Sequence, residues 1–193
     1  GMLIIWILTC GLRLTTKTKD ALDRLPAFTL ADQDARPLAY TTDNTNNNPP
    51  HTPQLALFYT DGRTPRAMLR KMRREQPELQ LTIIATPLGD AYQRVLQNTA
   101  RLVPSAHAEK AAAATADANR DWALGETPLF GCYQMRMPGG DSGESTTPLF
   151  FAEADPSRAL RRADPANKLA MACVSLERIV AMIEQGRTES AIH

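Results

Sequence analysis

Short apolar runs alternate with amphipathic stretches along this chain, and the alternation occurs twice. In the first half Ala27-Phe28-Thr29-Leu30 reads as a strand. Asp32-Gln33-Asp34 supplies turn chemistry and Pro37-Leu38-Ala39-Tyr40 returns, which predicts a hairpin. Leu55-Ala56-Leu57-Phe58-Tyr59 is almost wholly apolar, as a strand covered on both faces should be. After the Asp61-Gly62 turn, Thr64 is placed to cap a helix with Pro65 at its first position. That helix should run to Glu75 and be closed by Pro77, with Met68 and Met72 turned toward the core. Leu79–Ile84 reads as a further strand, and Leu88, Ala91, Tyr92, Val95 and Leu96 then fall at helical spacing. Leu102-Val103-Pro104 predicts an edge strand, since proline donates nothing to a ladder.

The second half follows the same scheme. Pro128-Leu129-Phe130 mirrors Pro26-Ala27-Phe28, and Leu149-Phe150-Phe151 mirrors Leu57-Phe58-Tyr59. DPSRALRR at 155–162 answers TPRAMLRK at 64–71, and Leu169–Cys173 answers Leu81–Ala85. Leu176 opens a last amphipathic helix carrying Ile179, Val180 and Ile183. A glycine-rich stretch at 138–143 stands where the first hairpin has its turn. The pattern predicts a mixed α/β fold with an internal duplication of a hairpin-strand-helix-strand-helix unit. The copies would span 25–104 and 127–193, pack as pseudo-twofold halves on one core, and be joined by 105–126. Residues 105–121 are alanine-rich and read as an exposed connecting helix.

The flanks are less regular. Residues 41–53 are rich in Asn and Pro and read as an exposed, mobile loop. Thr15–Leu25 has helical spacing, with Ala21, Leu22 and Leu25 on one side. Gly1 before Met2 reads as a cleavage scar, and Leu3–Leu8 is a dense apolar run. That run is far short of the about 20 residues a membrane span needs. It has the length of a signal-peptide core without an A-x-A site, so 1–24 reads either as a targeting remnant or as an N-terminal helix.

Composition narrows the chemistry. The net charge is +1, and no aromatic platform interleaves the arginines, so nucleic acid is not an expected partner. Cys10, Cys132 and Cys173 make no metal-ligand spacing, and an odd count argues against a disulfide framework. His51, His107 and His193 lie in the loop, the connector and the last position, so no catalytic triad has a base at a strand end. No phosphate-cradling glycine motif precedes a helix, and no cofactor is expected. Asp32 and Asp34 form the one close acidic pair worth weighing, and turn geometry alone accounts for them.

Two surfaces remain. Arg63, Arg66, Arg70 and Arg74, with Lys71 and Arg73, make the helix after Gly62 strongly basic, and Arg158, Arg161 and Arg162 echo it. These faces read as a solvated coat, or as a contact for anionic headgroups or an acidic partner. Phe28, Leu30, Leu38 and Tyr40 line one hairpin; Leu129, Phe130 and Tyr133 line the other. They read as ordinary core faces or as apolar grooves for an extended segment.

The order LPAFTL, LALFY, PLGDAY and TPLFFAE resembles the 22-kilodalton subunit family of the translocon at the inner chloroplast envelope, with its cyanobacterial and apicoplast relatives. The resemblance covers about residues 20–186, and the loops at 41–53 and 138–147 depart from it. It implies an α/β protein with two similar halves, apolar pockets and no catalytic residues. It also implies a non-enzymatic import factor or chaperone whose partners are unfolded precursor proteins and translocon subunits. The plastid intermembrane space is the implied location, with a cyanobacterial periplasm or thylakoid lumen as the alternative. A peripheral membrane scaffold, and an α/β enzyme using Asp32, Asp34 or His107, stay open beside it.

Overall fold

The computed structural model describes residues 13–41, 54–115, 119–138, 145–163 and 169–185. Helix α1 (Thr16–Asp23) is capped by Thr15, whose side chain accepts the Thr18 N–H. It buries Thr18 and Leu22, whereas Ala21 and Leu25 are exposed, so the apolar side expected of it is narrower than its sequence implied. Strand β1 (Pro26–Ala31) pairs antiparallel with β4 (Thr82–Pro87) from Pro26↔Pro87 to Ala31↔Thr82. Strand β3 (Gln54–Tyr59) meets β1 at Phe28↔Tyr59 and takes β2 (Ala39–Thr41) beside its first half. On its other edge it runs parallel to β5 (Ala100–Val103). The expected hairpin is partial: Leu38 N–H donates to Leu30 O, and β2 then leaves β1 to pair with β3.

Helix α2 (Arg63–Glu75) joins β3 to β4, and α3 (Leu88–Leu96) joins β4 to β5. The two crossovers traverse the sheet in opposite directions, and right-handedness therefore puts the helices on opposite faces. Adjacent residues record this. Phe58 joins the core that holds Leu88, Ala91 and Tyr92 of α3. Tyr59, pointing the other way, donates its hydroxyl to Met68 Sδ on α2 at 3.0 Å. Tyr40 reaches the same sulfur at 3.7 Å, and Met68, Leu69 and Met72 form the half-buried side of α2, as the sequence led us to expect for the two methionines. The cap of α2 differs from expectation. Asp61, not Thr64, accepts the N–H groups of Arg63 and Thr64 at 2.7 and 2.8 Å, because its carboxylate reaches both donors at once.

The second half reuses one register. Strand β7 (Pro128–Gly131) pairs antiparallel with β10 (Ala172–Ser175), matching Pro128 with Ser175 as Pro26 is matched with Pro87. Leu176 N–H donates to Thr127 O, as Leu88 N–H donates to Leu25 O. Helix α6 (Leu176–Glu184) begins at once from its strand, capped by Ser175. Beyond this the halves diverge. Leu149–Phe151, expected as a strand, is reduced to one bridge, Phe130↔Phe150, since Pro148 has no N–H to extend it. Strand β6 (Arg120–Asp121) runs parallel to β10, and β8 (Met137–Pro138) pairs with β9 (Ser145–Thr146). Strand β10 begins three residues after the Leu169 start that the sequence indicated, and β4 likewise starts at Thr82.

Helix α4 (Ala106–Ala114) is shorter than the expected connector and is not exposed all round. Ala108 and Ala112 pack on Phe130 and Cys173 as a second cluster, where only small side chains let the helix approach the strands. Helix α5 (Ala154–Ala163) carries Asp155 in its first turn and a buried Pro156. One main core contains Phe58, Leu88 and Tyr92 together with Leu129, Val174, Leu176 and Val180, so both halves contribute to it. No helix among the described residues is long and apolar enough to cross a membrane. Of the expected loop at 41–53 only Thr41 is described, and it ends β2; of the glycine-rich stretch at 138–143 only Pro138 is, and it ends β8. The apolar run at 3–8, Cys10, His51 and His193 lie outside the described residues.

Two outcomes follow from this packing. A methyl group at Gly89 would stand 2.4 Å from Asp23 Oδ1 and 2.9 Å from the Lys19 carbonyl oxygen. Gly89→Ala should therefore force α1 off α3 and lower the urea midpoint by the equivalent of about 1–3 kcal/mol. Burial pushes the phenols of Tyr59 and Tyr92 up to about 12 from the ordinary 10.0. Folding thus favours the protonated phenols, so their contribution is whole below pH 10 and is lost as pH rises toward 12. Absorbance titration should show late phenolate formation accompanied by loss of stability across that window. Ionisation of all four tyrosines near 10 in the folded protein would contradict it.

Candidate functional site

Where the two halves meet, the main core opens to solvent as an apolar groove of about 550 Å³. One wall comes from the first half: Leu22 and Leu25 at the end of α1, Phe28 on β1, and the Thr60-Asp61-Gly62 turn. The other comes from the second half: Leu129 on β7, Leu149–Ala152, and Leu176 and Ile179 on α6. Leu25 is 43% exposed, a large apolar side chain presented to water at the groove.

Local chemistry holds both walls. Phe150 exchanges both backbone hydrogen bonds with Phe130, at 2.8 and 2.9 Å, which fixes Leu149 and Phe151 on either side. Gly131 permits the approach, since a Cβ there would lie 2.8 Å from the Pro148 carbonyl oxygen and from Leu149 Cδ2. Gly62 leaves the Phe28 ring uncovered by any side chain of its own. Two of the polar groups at the rim are already engaged, while Asp155 leaves a carboxylate there. Asp61 caps α2, and Ser105 Oγ accepts the Ala108 N–H at the start of α4. The groove thus offers mainly apolar contact, a surface suited to binding by buried area.

The residues read from sequence as an apolar surface separate on the structure. Phe28 and Leu129 lie on the groove. Leu30 and Phe130 are 1% and 0% exposed and offer a ligand no surface. Leu38 is half-buried in the link between β1 and β2, and Tyr40 packs against Met68 and Met72 of α2. Tyr133 is exposed and borders a small recess with Asp121, Arg178 and Met182. Leu25, Leu149, Phe150, Phe151 and Ile179 were missing from the sequence reading of the surface, although the run LFF behind Pro148 is a visible apolar signal.

The residues weighed for catalysis are not brought together. Asp32 Oδ1 accepts the N–H groups of Asp34 and Arg36, both at 2.9 Å, which is turn chemistry. His107 Nε2 lies 3.8 Å from Glu153 Oε2 in a recess of about 500 Å³ with Lys110, Asn119 and Met171, and neither aspartate lines it. Cys132 and Cys173 are free and buried, and burial pushes the Cys173 thiol up to about 11, where it is a poor nucleophile. Among the described residues no three His, Cys, Asp or Glu side chains are grouped to hold a metal ion. The basic residues Arg63, Arg66, Arg70 and Arg74 on α2, and Arg158 and Arg162 on α5, are all exposed.

Neither a protein-family model nor a curated protein sequence matches the chain. Solved structures do. Tic22 of Anabaena, described as a protein-transport protein, shares 17% identity over 90% of this chain and 87% of its own, with a TM-score of 0.67. Tic22 from Plasmodium falciparum shares 14% identity over 84% of each chain, with a TM-score of 0.66. The likeness covers most of the chain, and it agrees with the family resemblance noted in LPAFTL, LALFY, PLGDAY and TPLFFAE. The chain therefore has the mixed α/β fold of the Tic22 proteins of a cyanobacterium and of Plasmodium.

Proposed function

We propose that this protein is a non-enzymatic protein-import factor that holds unfolded precursor segments in the groove between its halves. The observation that carries this reading is the lining: large apolar side chains from both halves, open to water, on a fold shared with a protein-transport protein. Burying one Leu or Phe of a client there is worth about 1.5–3 kcal/mol, before the cost of ordering the segment. A few such contacts give binding that is weak at each position and released without nucleotide. The precursors and translocon subunits are its partners in this reading. The plastid intermembrane space, or a cyanobacterial periplasm or thylakoid lumen, is its setting.

The test is suppression of aggregation of an unfolded model client at near-stoichiometric protein without ATP. Leu25→Glu and Phe151→Ser should each weaken suppression by about tenfold, since each removes apolar contact or adds a charge that must stay hydrated. Unchanged thermal melting of the exposed Leu25→Glu variant separates this loss from unfolding. No suppression by the wild-type chain at large excess would sink the reading.

A further inference from the structure

The groove does not end at its apolar rim. Gly62 lines it, and the next residue, Arg63, opens α2. From there Arg66, Arg70 and Arg74 follow at helical spacing, so the four guanidinium groups form one stripe about 16 Å long. All four side chains are exposed. The one acid on the helix, Glu75, is paired with Lys71 at 3.9 Å, and Arg73 is held by the Leu81 carbonyl oxygen at 3.0 Å. Among the described residues, no carboxylate stands within salt-bridge distance of Arg63, Arg66, Arg70 or Arg74. The whole chain carries a net charge of only +1, so this run is a local concentration of cations and not a general surface property.

We infer that the α2 stripe is a second contact for the same polypeptide that occupies the groove, and that it takes acidic residues adjoining the client's apolar segment. This rests on the groove being the binding site proposed above. Continuity decides between a polypeptide and a lipid surface. A chain seated on Leu25 and Phe28 that continues past Gly62 runs directly onto Arg63 and Arg66. Guanidinium groups also suit carboxylates, which they grip through paired donors. A membrane-lying helix would instead need a free apolar side, and the apolar side of α2, Met68, Leu69 and Met72, is packed on the sheet. None of the large hydrophobic side chains exposed among the described residues lies on α2.

The experiment uses the full chain and labelled synthetic peptides sharing one apolar segment, extended at either end by four glutamates or four glutamines. Fluorescence anisotropy at low salt should show one acidic peptide binding about tenfold tighter than its glutamine partner, with the gain fading at high salt. Arg66→Gln with Arg70→Gln should erase the gain and leave the glutamine peptides unchanged. Leu25→Glu should weaken every peptide, since it acts on the groove. Equal affinity of acidic and glutamine peptides at both ends overturns this inference and leaves the groove reading standing. Indifference of all peptides to Leu25→Glu overturns the groove reading and this inference with it. Flotation of the protein with anionic vesicles, lost in the double arginine variant, overturns it in favour of a lipid surface.

Discussion

The constraint on which this molecule depends is the single core that its two halves share. Phe58, Leu88 and Tyr92 of the first half share one buried cluster with Leu129, Leu176 and Val180 of the second. Each half drives a helix into that shared core straight from a strand, with Leu88 N–H bonded to Leu25 O and Leu176 N–H bonded to Thr127 O. Truncating any of these leucines would open a cavity costing about 2–5 kcal/mol, a large share of a typical domain's stability. The groove is the open margin of the same core, where Leu25, Phe28 and Phe151 continue the apolar surface past the point at which chain covers it.

Much of the architecture was legible in the sequence, for reasons that differ between elements. Helices α3 and α6 follow from apolar residues at 3.6-residue spacing directly after β-branched or small-residue strands. The matching Pro26-Ala27-Phe28 and Pro128-Leu129-Phe130 marked β1 and β7 as equivalent strands, but their pairing with β4 and β10 was not legible, since neither partner is a sequence neighbour. The burial of α4 was not legible, because alanine has too little apolar bulk to mark a buried side. It took Phe130 and Cys173 underneath to turn Ala108 and Ala112 inward. The cap of α2 was misplaced because Asp61 and Thr64 are both capping residues, and only geometry shows which oxygen reaches the free N–H groups.

The groove itself was legible only in part. Phe28 and Leu129 carried enough apolar character to be named, but so did Leu30 and Phe130, and period-two alternation cannot say which face of a strand stays uncovered. Phe28 is half-buried beside Gly62, which has no side chain to lay over its ring, and the wall opposite is built from Leu149–Phe151, far away in sequence. Juxtaposition of that kind is a property of the closed core and has no local signature. The chemistry left over is consistent with a binding surface: Asp32 serves a turn, His107 faces Glu153 elsewhere, and Cys173 is sealed beneath α4.

The central claim is that the margin between the halves, and not apolar exposure in general, is where clients bind. Leu124 supplies the control, for it is 87% exposed and lies off the groove. The direct measurement is site-specific photo-crosslinking, with a photoreactive side chain placed in turn at positions 25, 151 and 124 and an unfolded client added. The account predicts client adducts from Leu25 and Phe151 that an excess of apolar peptide competes away, and none above background from Leu124. Adducts of equal yield from Leu124, or none from the groove positions, would contradict it.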